Sequence, residues 1–570
     1  IIFKNRMKYL NEILFLLGES KKKLPFALLL FILVAVFDLL GLWVIAPFII
    51  LVTNEEIFFN TYNLSFIKQY IINLDFLIIY MGLFLLLVFL SRSLITIFIK
   101  YIILKFTLNL RVKFQKSLLE KYQKMSYLDY TERNSSSYIE TVSNLVPRFT
   151  TNINAILNIL SDTVIVSAIF IFLSFQNIEM LVVTLFFVIV FILLYDLLFK
   201  KKLKQYGQYT SEGSKTLLQS LLENMTGFKE IKILAVDNFF INKFMKGANQ
   251  VANNLTKSSL ISISPRYFFE FLLILILVLF VFIFETTSQP RSEFIAHLSI
   301  FGLASLRIIP LANQFATNLT AIRLGRFPTA QIYSDYKLIN INSNIDLKIT
   351  HQHSSFQKLE LKNLTFKYPT REVLAFNSIS LSILKGQMVG IVGSSGSGKT
   401  SLIDNITGLL EPTSGKIEYN GKNLNDHLHQ WRSQIAYIPQ QPLIIDDTIK
   451  NNICLGKFIQ GSDELKINEV LKESQLYDFI KKLPEGINTK IGDKGSKISG
   501  GQKQRIVLAR AFYHEREILI LDESLNSLDK QTEHSILEQL NILKGKKTII
   551  LISHQKSSLK YCDQIYNLDI

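Results

Sequence analysis

From 25 to 53 the chain is almost wholly apolar. A helix needs about 20 apolar residues to cross the ~30 Å hydrocarbon core of a bilayer, so this run crosses with residues to spare. Residues 76–104 and 181–199 read the same way. A fourth run, 153–175, is interrupted by Asp162 and several Asn and Ser. Residues 267–284 make a fifth, and 294–321 a weaker, more polar sixth. The expectation is six transmembrane helices. Composition agrees, with 49% hydrophobic residues and 43 Phe among 570 residues, a membrane profile in a chain too long for one core. Cys454 and Cys562 are the only cysteines, too few for a disulfide framework or a cysteine-based metal site. The first apolar span is long and lacks a small-residue cleavage site, so no cleavable signal peptide is expected.

A net charge of +16 raises nucleic acid as a partner, but the placement of the charge argues against it. The segment after the second span holds Lys105, Arg111, Lys113, Lys116, Lys121, Lys124, Arg133 and Arg148. The segment after 181–199 opens with Lys200, Lys201, Lys202 and Lys204. Opposite loops, 54–75, 176–180 and 285–293, hold only Lys68 and Arg291. Loops rich in Lys and Arg stay in the cytoplasm, which orients the whole chain. These two basic segments, of about 50 and 65 residues, exceed ordinary helix connections and read as helical extensions. Short turns are expected near 134–140 and 223–232. Each turn either is an exposed charged connection or docks on the cytoplasmic half of the chain. At the N-terminus, the Leu-rich piece from Tyr9 to Leu17, ending in Lys21-Lys22-Lys23, reads as a surface helix or as one lying on the cytoplasmic leaflet. On the opposite side, Ile57, Phe58, Phe59, Tyr62, Phe66, Ile67, Tyr70 and Ile71 recur at roughly helical spacing. They suggest a short amphipathic helix whose apolar face contacts membrane lipid.

Charges inside the spans bear on cargo. Arg92 lies well inside the second span, Arg266 opens the fifth beside Pro265, and Arg307 sits midway in the sixth. Asp38, Asp162, Asp196 and Glu270 also lie in or at the edges of spans. A charge in hydrocarbon needs a partner or a wet cavity. Glu270, four residues after Arg266, offers such a partner on one helix face. Three guanidiniums on three helices suit a lined cavity, and a guanidinium grips phosphate oxygens bidentately, so an anionic, phosphate-like cargo is expected.

Residues 326–355 are polar and Asn/Ser-rich and read as a linker. From 356 to 570 short β-like runs alternate with helices, as in a soluble α/β domain. Within it, Met388-Val389-Gly390-Ile391-Val392 leads into Gly393-Ser394-Ser395-Gly396-Ser397-Gly398-Lys399-Thr400 and then Ser401-Leu402-Ile403-Asp404. This strand, glycine-rich turn and helix start match G-x-x-x-x-G-K-[ST], whose backbone N–H groups and helix N-terminus cradle phosphates. ATP is the expected ligand. Lys399 would reach its β- and γ-phosphates, and the Thr400 hydroxyl would join the Mg²⁺ shell. Tyr368 after a strand would stack on adenine or simply pack. Gln440 ends the run Tyr437-Ile438-Pro439 where it could meet Mg²⁺ and water. Ser499-Gly500-Gly501-Gln502 makes a second glycine-rich turn before a helix, another phosphate receptor. The run Ile518 to Leu521 ends in two acids: Asp522 would hold Mg²⁺, while Glu523 would orient or deprotonate the attacking water. His554, after Ile549 to Ser553, could contact the γ-phosphate.

Loop, Gln440, Ile498-Ser499-Gly500-Gly501-Gln502, Leu521-Asp522-Glu523 and Ser553-His554, in this order, resemble the nucleotide-binding domain of an ABC transporter. The resemblance implies that two such domains close head to tail around ATP, and hence a homodimer. Six spans ahead of the domain resemble an exporter-type half-transporter. The implied fold class is an α-helical membrane domain (1–325) joined by the 326–355 linker to an α/β P-loop ABC domain (356–570). Three departures occur: Ile498 for the usual Leu, Asn526 for Ala, and Gln555 where Arg is common. Ala46-Pro47-Phe48-Ile49, Pro265-Arg266 with Glu270, and Leu306-Arg307-Ile308-Ile309-Pro310 with Ala312-Asn313 are similar to bacterial lipid-linked oligosaccharide flippases of the PglK type. That similarity implies a polyprenyl-diphosphate-linked glycan as cargo, meeting Arg92, Arg266 and Arg307, moved across a bacterial inner membrane by ATP hydrolysis. A multidrug or lipid A exporter is the alternative. The abundance of Lys, Asn, Ile and Phe suggests an AT-rich bacterial genome.

Overall fold

The computed structural model describes residues 2–53, 59, 74–174, 178–286, 310–342, 355–456, 463–525, 528–553 and 555–569. The chain divides into two compact units, 1–125 with 129–344, and 126–128 with 345–570. Apart from Phe59, the expected outer amphipathic helix lies outside the described residues, as do Arg307, His554 and Asn526.

The described part of the first unit is helical. In order come α1 (Ile2–Leu17), α2 (Leu24–Thr53), α3 (Leu74–Gln123), α4 (Tyr127–Thr131), α5 (Ser135–Glu140), α6 (Val146–Ser174), α7 (Ile178–Thr226), α8 (Phe228–Leu234), α9 (Asp237–Thr286), α10 (310–324) and α11 (Arg326–Asn342). Helices α3, α7 and α9 run 50, 49 and 50 residues. At 1.5 Å per residue each is about 75 Å long, more than twice the hydrocarbon thickness. One end of each is therefore the apolar span and the other the polar extension that the basic segments suggested. Leu83, Leu86, Leu87, Leu90, Leu94 and Ile97 stand exposed along α3, an apolar stripe suited to lipid. Among the described residues, Phe76–Gln123 and Ser135–Ala168 are long and apolar enough to cross a membrane.

The chain breaks within both expected stretches, although 135–140, read as part of the first turn, are helical. Asn134 precedes α5 in an extended conformation, and the second basic segment breaks at Gly227 and again at Ala235, whose φ is 54°. The short stretch of this region that groups with the second unit is Ser126–Leu128, ahead of the first expected turn. There Leu128 packs against the core that includes Phe356 and Leu359.

The stretch read as the start of a linker is a correction. Residues 326–342 form α11 and belong to the first unit, with Ile332 and Thr329 fully buried and Asp335 1% exposed. Polar composition misled because Asp335 is buried with partners: it accepts hydrogen bonds from the Tyr122 hydroxyl (2.8 Å) and Arg133 Nη1 (2.9 Å). Helix α1 packs partly on the same region rather than lying wholly free. Ile13, Leu16 and Leu17 are buried, Glu12 pairs with Arg326 at 3.4 Å, and Phe15 meets Tyr333 edge-on. Leu10 and Phe15 remain more than half or half exposed, so only one face of α1 is spent on protein.

Helices α7 and α9 approach closely where Gly213 and Gly247 face each other. A Cβ on Gly247 would lie 2.9 Å from Leu217 N and 3.0 Å from Gly213 O, both backbone atoms that cannot swing away. Gly247→Val is therefore expected to cost about 1–3 kcal/mol by overpacking. Thermal unfolding of the solubilised protein measures it, and an unchanged melting temperature would show that the helices separate freely there.

The second unit holds two sheets. β1 (Lys358–Phe366), β2 (Phe376–Leu384), β4 (Ser414–Tyr419) and β5 (Lys422–Asn423) form an antiparallel sheet ordered β2-β1-β4-β5. β6 (Ile435–Ile438), β7 (Ile518–Asp522), β8 (Thr548–Ile552), β3 (Met388–Val392) and β9 (Gln564–Asn567) form a parallel one in that order. β7 and β8 are buried at every residue, which explains why they read as unbroken apolar runs rather than alternating ones. Helices α12 (Lys399–Ile406), α13 (Gly500–Tyr513) and α14 (Lys530–Leu543) flank the strands.

Candidate functional site

The phosphate loop runs from the end of β3 to the start of α12, as the residues suggested. Gly398 has φ +90°, and a Cβ there would lie 2.3 Å from Ala375 O, so only glycine closes the turn. Lys399 is 6% exposed, and its ammonium donates to the carbonyls of Gly393 (2.9 Å) and Ser394 (2.7 Å). The Thr400 side of the helix start is exposed, whereas Ser401 is buried, its hydroxyl 3.0 Å from the Tyr368 hydroxyl. Tyr368 thus braces the loop. Its ring also meets Phe366 edge-on and carries the Arg371 guanidinium 5.3 Å from its centroid.

A contact that no motif announced holds the other end of the loop. Asp569, just after β9, accepts from Ser394 N (2.7 and 2.9 Å to its two oxygens) and from Ser394 Oγ (2.7 Å). β9 pairs with β3 in register, which is what carries a residue so distant in sequence to the loop.

Asp522 ends strand β7, which lies between β6 and β8, and Glu523 follows it directly. Asp522 is 7% exposed and accepts from the Tyr437 hydroxyl at 2.9 Å. Burial, with the Asp522 charge beside it, pushes the Tyr437 phenol well up, so it stays protonated and donates. Burial also pushes the Asp522 carboxyl up; the Tyr437 bond and Lys399 pull against that, and Glu523 adds to it. Glu523 carries φ +46°, a left-handed backbone that non-glycine residues adopt at a cost and that recurs at functional sites. Gln440 Nε2 donates to Glu523 Oε2 at 3.2 Å, so the structure brings together the two residues expected to handle metal and water. Thr400, Gln440 and Asp522 are hard oxygen donors, and Asp522 sits in an excess of negative charge with Asp404 and Glu523. Such a set suits Mg²⁺, which takes one or two carboxylates plus phosphate oxygens. Bound there, Mg²⁺ would neutralise charge on the transferring phosphoryl group.

Asp404, on α12, was missed because a lone Asp in a helix carries no motif. It is 9% exposed, and burial, with Asp522 adding, lifts its carboxyl from 3.8 to about 6. An acid with a raised folded value holds more protons folded than unfolded, so it lowers stability as pH rises from about 4 to 6 and keeps it lowered above. In EDTA, Asp404→Asn is expected to raise stability at pH 7.5 by up to about 3 kcal/mol, and to change nothing below about pH 4. Melting temperatures across that range test it; a gain independent of pH would assign the effect to packing.

The second glycine-rich turn is a capping box. Ser499 Oγ accepts from Gln502 N (3.3 Å), and Gln502 Oε1 accepts from Ser499 N (2.8 Å), fixing the N-terminus of α13. Gly500 and Gly501 follow as the first residues of that helix. Past β8, with its amide nitrogen turned to the carboxylate, Gln555 donates to both oxygens of buried Glu533 (2.9 and 3.0 Å), and Ser558 Oγ also bonds Glu533 (2.8 Å). Glu533 therefore anchors the segment next to His554, a role no short motif signalled.

In the first unit, Arg92 lines a cavity of about 210 Å³. Arg266 does not line it; it lies exposed on α9, its Nε 3.0 Å from Glu270 Oε1, the pairing expected from their spacing. Among the described residues of one chain, the arginines are thus not gathered at one point.

Residues 376–526 match the ABC transporter family model. The second unit is accordingly an ABC-type ATPase domain. Across 97% of this chain and 94% of the other, the structure is similar to that of a bacterial Atm1-family ABC exporter with ATP bound, with a TM-score of 0.78 at 19% identity. The chain therefore has the ABC exporter fold, a helical domain followed by the nucleotide-binding domain. A probable ABC transporter ATP-binding/permease protein of Haemophilus influenzae is 35% identical over 263 residues, 46% of each chain. An ATP-dependent lipid A-core flippase of Pseudoalteromonas translucida is 38% identical over 213 residues, 37% of this chain and 36% of that one. The matches span less than half the length of these relatives.

Proposed function

We propose that this chain, as a homodimer in a bacterial inner membrane, uses ATP hydrolysis to flip a polyprenyl-diphosphate-linked glycan from the cytoplasmic to the outer leaflet. The observation that carries this reading is the cavity in the apolar helical unit, with Arg92 and Lys100 in its wall. Cations placed where charge is costly match an anionic headgroup travelling through the bilayer. Arg266 and Arg307 are read as meeting the same diphosphate at another stage or from the partner chain. ATP and Mg²⁺ are held by Gly393 to Ser401, Gln440 and Asp522, Glu523 activates water, and His554 senses the γ-phosphate. Ser499 to Gln502 close on ATP from the partner, and Tyr368 contacts adenine.

The similarity to lipid A-core flippases favours a second reading, export of lipid A, whose headgroup is also phosphorylated. Liposomes holding the protein, Mg·ATP and either a labelled polyprenyl-diphosphate glycan or lipid A separate the two by which lipid changes sidedness. Joint replacement of Arg92, Arg266 and Arg307 by Ala is expected to stop glycan transfer. Transfer that survives it would refute the cargo assignment.

A further inference from the structure

The cavity beside Arg92 holds charges that the arginine reading does not use. Arg92, Thr96, Lys100 and Ile103 form one face of α3 along its wall, at helical spacing. Ser161, Asp162 and Ile165 of α6 line it too, with Pro310, Leu311 and Gln314 of α10 and Val34 of α2. Lys100 Nζ donates to Asn158 Oδ1 at 2.8 Å, which holds the ammonium beside α6 one turn from Asp162. Asp162 is 3% exposed, and one of its oxygens takes a hydrogen bond from Asn318 Nδ2 at 3.5 Å. A buried carboxylate in the wall of a small cavity thus faces a wall bearing two cations.

We propose that Lys100 joins Arg92 as a ligand of the cargo's phosphate-class anion, and that Asp162 is the resident counter-ion of Lys100, with which the incoming anion competes. This rests on the reading of an anionic cargo. In low-dielectric surroundings a cation without a counter-charge is costly, so the carboxylate keeps the Lys100 ammonium tolerable when no cargo is bound. The same carboxylate repels the bound anion, which favours release. Asp162 then sets how tightly cargo is held, and Lys100 contributes attraction.

The test measures binding of a fluorescent polyprenyl diphosphate to the full chain in nanodiscs at low salt, with melting temperatures as the check on folding. Lys100→Gln is expected to weaken binding about tenfold and Asp162→Asn to tighten it about tenfold, the scale usual for coupled charges. The double variant should bind close to wild type, and Lys100→Arg should retain affinity. Asp162→Asn should also slow ATP-driven transfer of the lipid while tightening its binding, a split that lost packing does not produce. Weakened or unchanged binding in Asp162→Asn, in protein that melts normally, overturns the inference. If wild type binds lipid A but not polyprenyl diphosphate, the glycan reading fails; the same ranking of variants with lipid A then keeps this inference, and any other ranking overturns it. Binding of neither lipid overturns both.

Discussion

Glu523→Gln should leave a protein that binds Mg·ATP and no longer turns it over, with kcat lowered about 10³-fold, within the range lost when a general base is removed. The substitution keeps the side chain's length and removes only the carboxylate that would take a proton from water. Glu523 is held by its place directly after β7, by the bond from Gln440, and by a backbone bond from its own N–H to Ile552 O (3.2 Å). Its φ of +46° is maintained by the surrounding strands rather than by local preference, so the amide should occupy the same place. Phosphate release and nucleotide trapping measure the two effects separately. A residual rate above about a tenth of wild type, smaller than any general-base loss, would assign water activation to another group. Transfer of cargo should stop together with hydrolysis; ATP-dependent ion conductance persisting in this variant would instead indicate a channel.

Asp335→Ala should cause the largest loss of stability in the helical unit. The Asp335 side chain is 1% exposed and accepts from the Tyr122 hydroxyl, Arg133 Nη1 and Gln331 Nε2 (3.2 Å). Removing it strands those donors, Arg133 carrying a full charge. Breaking a buried pair costs 3–5 kcal/mol; with Arg133 31% exposed, part of that is returned by water, leaving about 2–4 kcal/mol. The melting temperature should fall by about 5 °C or more. Asp335→Asn, which keeps an acceptor for Tyr122, should fall less. Equal melting temperatures for wild type and the alanine variant would show that α11 is held by Ile332 and its apolar neighbours alone.

The phosphate loop, the capping turn at Ser499 and the acids after β7 were legible because their chemistry is local. Successive N–H groups, a helix start and a strand end are built from neighbours in sequence, so residue types at fixed spacing suffice. The long helices α3, α7 and α9 were legible for a similar reason: apolar length against bilayer thickness and the siting of Lys and Arg are properties of the chain itself. Where local composition is ambiguous the reading erred. Residues 326–342 are polar enough for a linker, yet form a helix because Asp335 finds Tyr122 and Arg133 far away in sequence.

By itself the sequence determined the class of chemistry, a glycine-rich phosphate loop with an acid pair at the end of a neighbouring strand, and the division into an apolar helical half and an α/β half. Tertiary structure alone decided that Asp569 holds Ser394, that Asp404 sits with Asp522, and that Lys100 and Asp162 share a cavity with Arg92. Each of those pairings joins residues on different elements. Strand register and helix packing bring them together, and neither is encoded in any short stretch of chain.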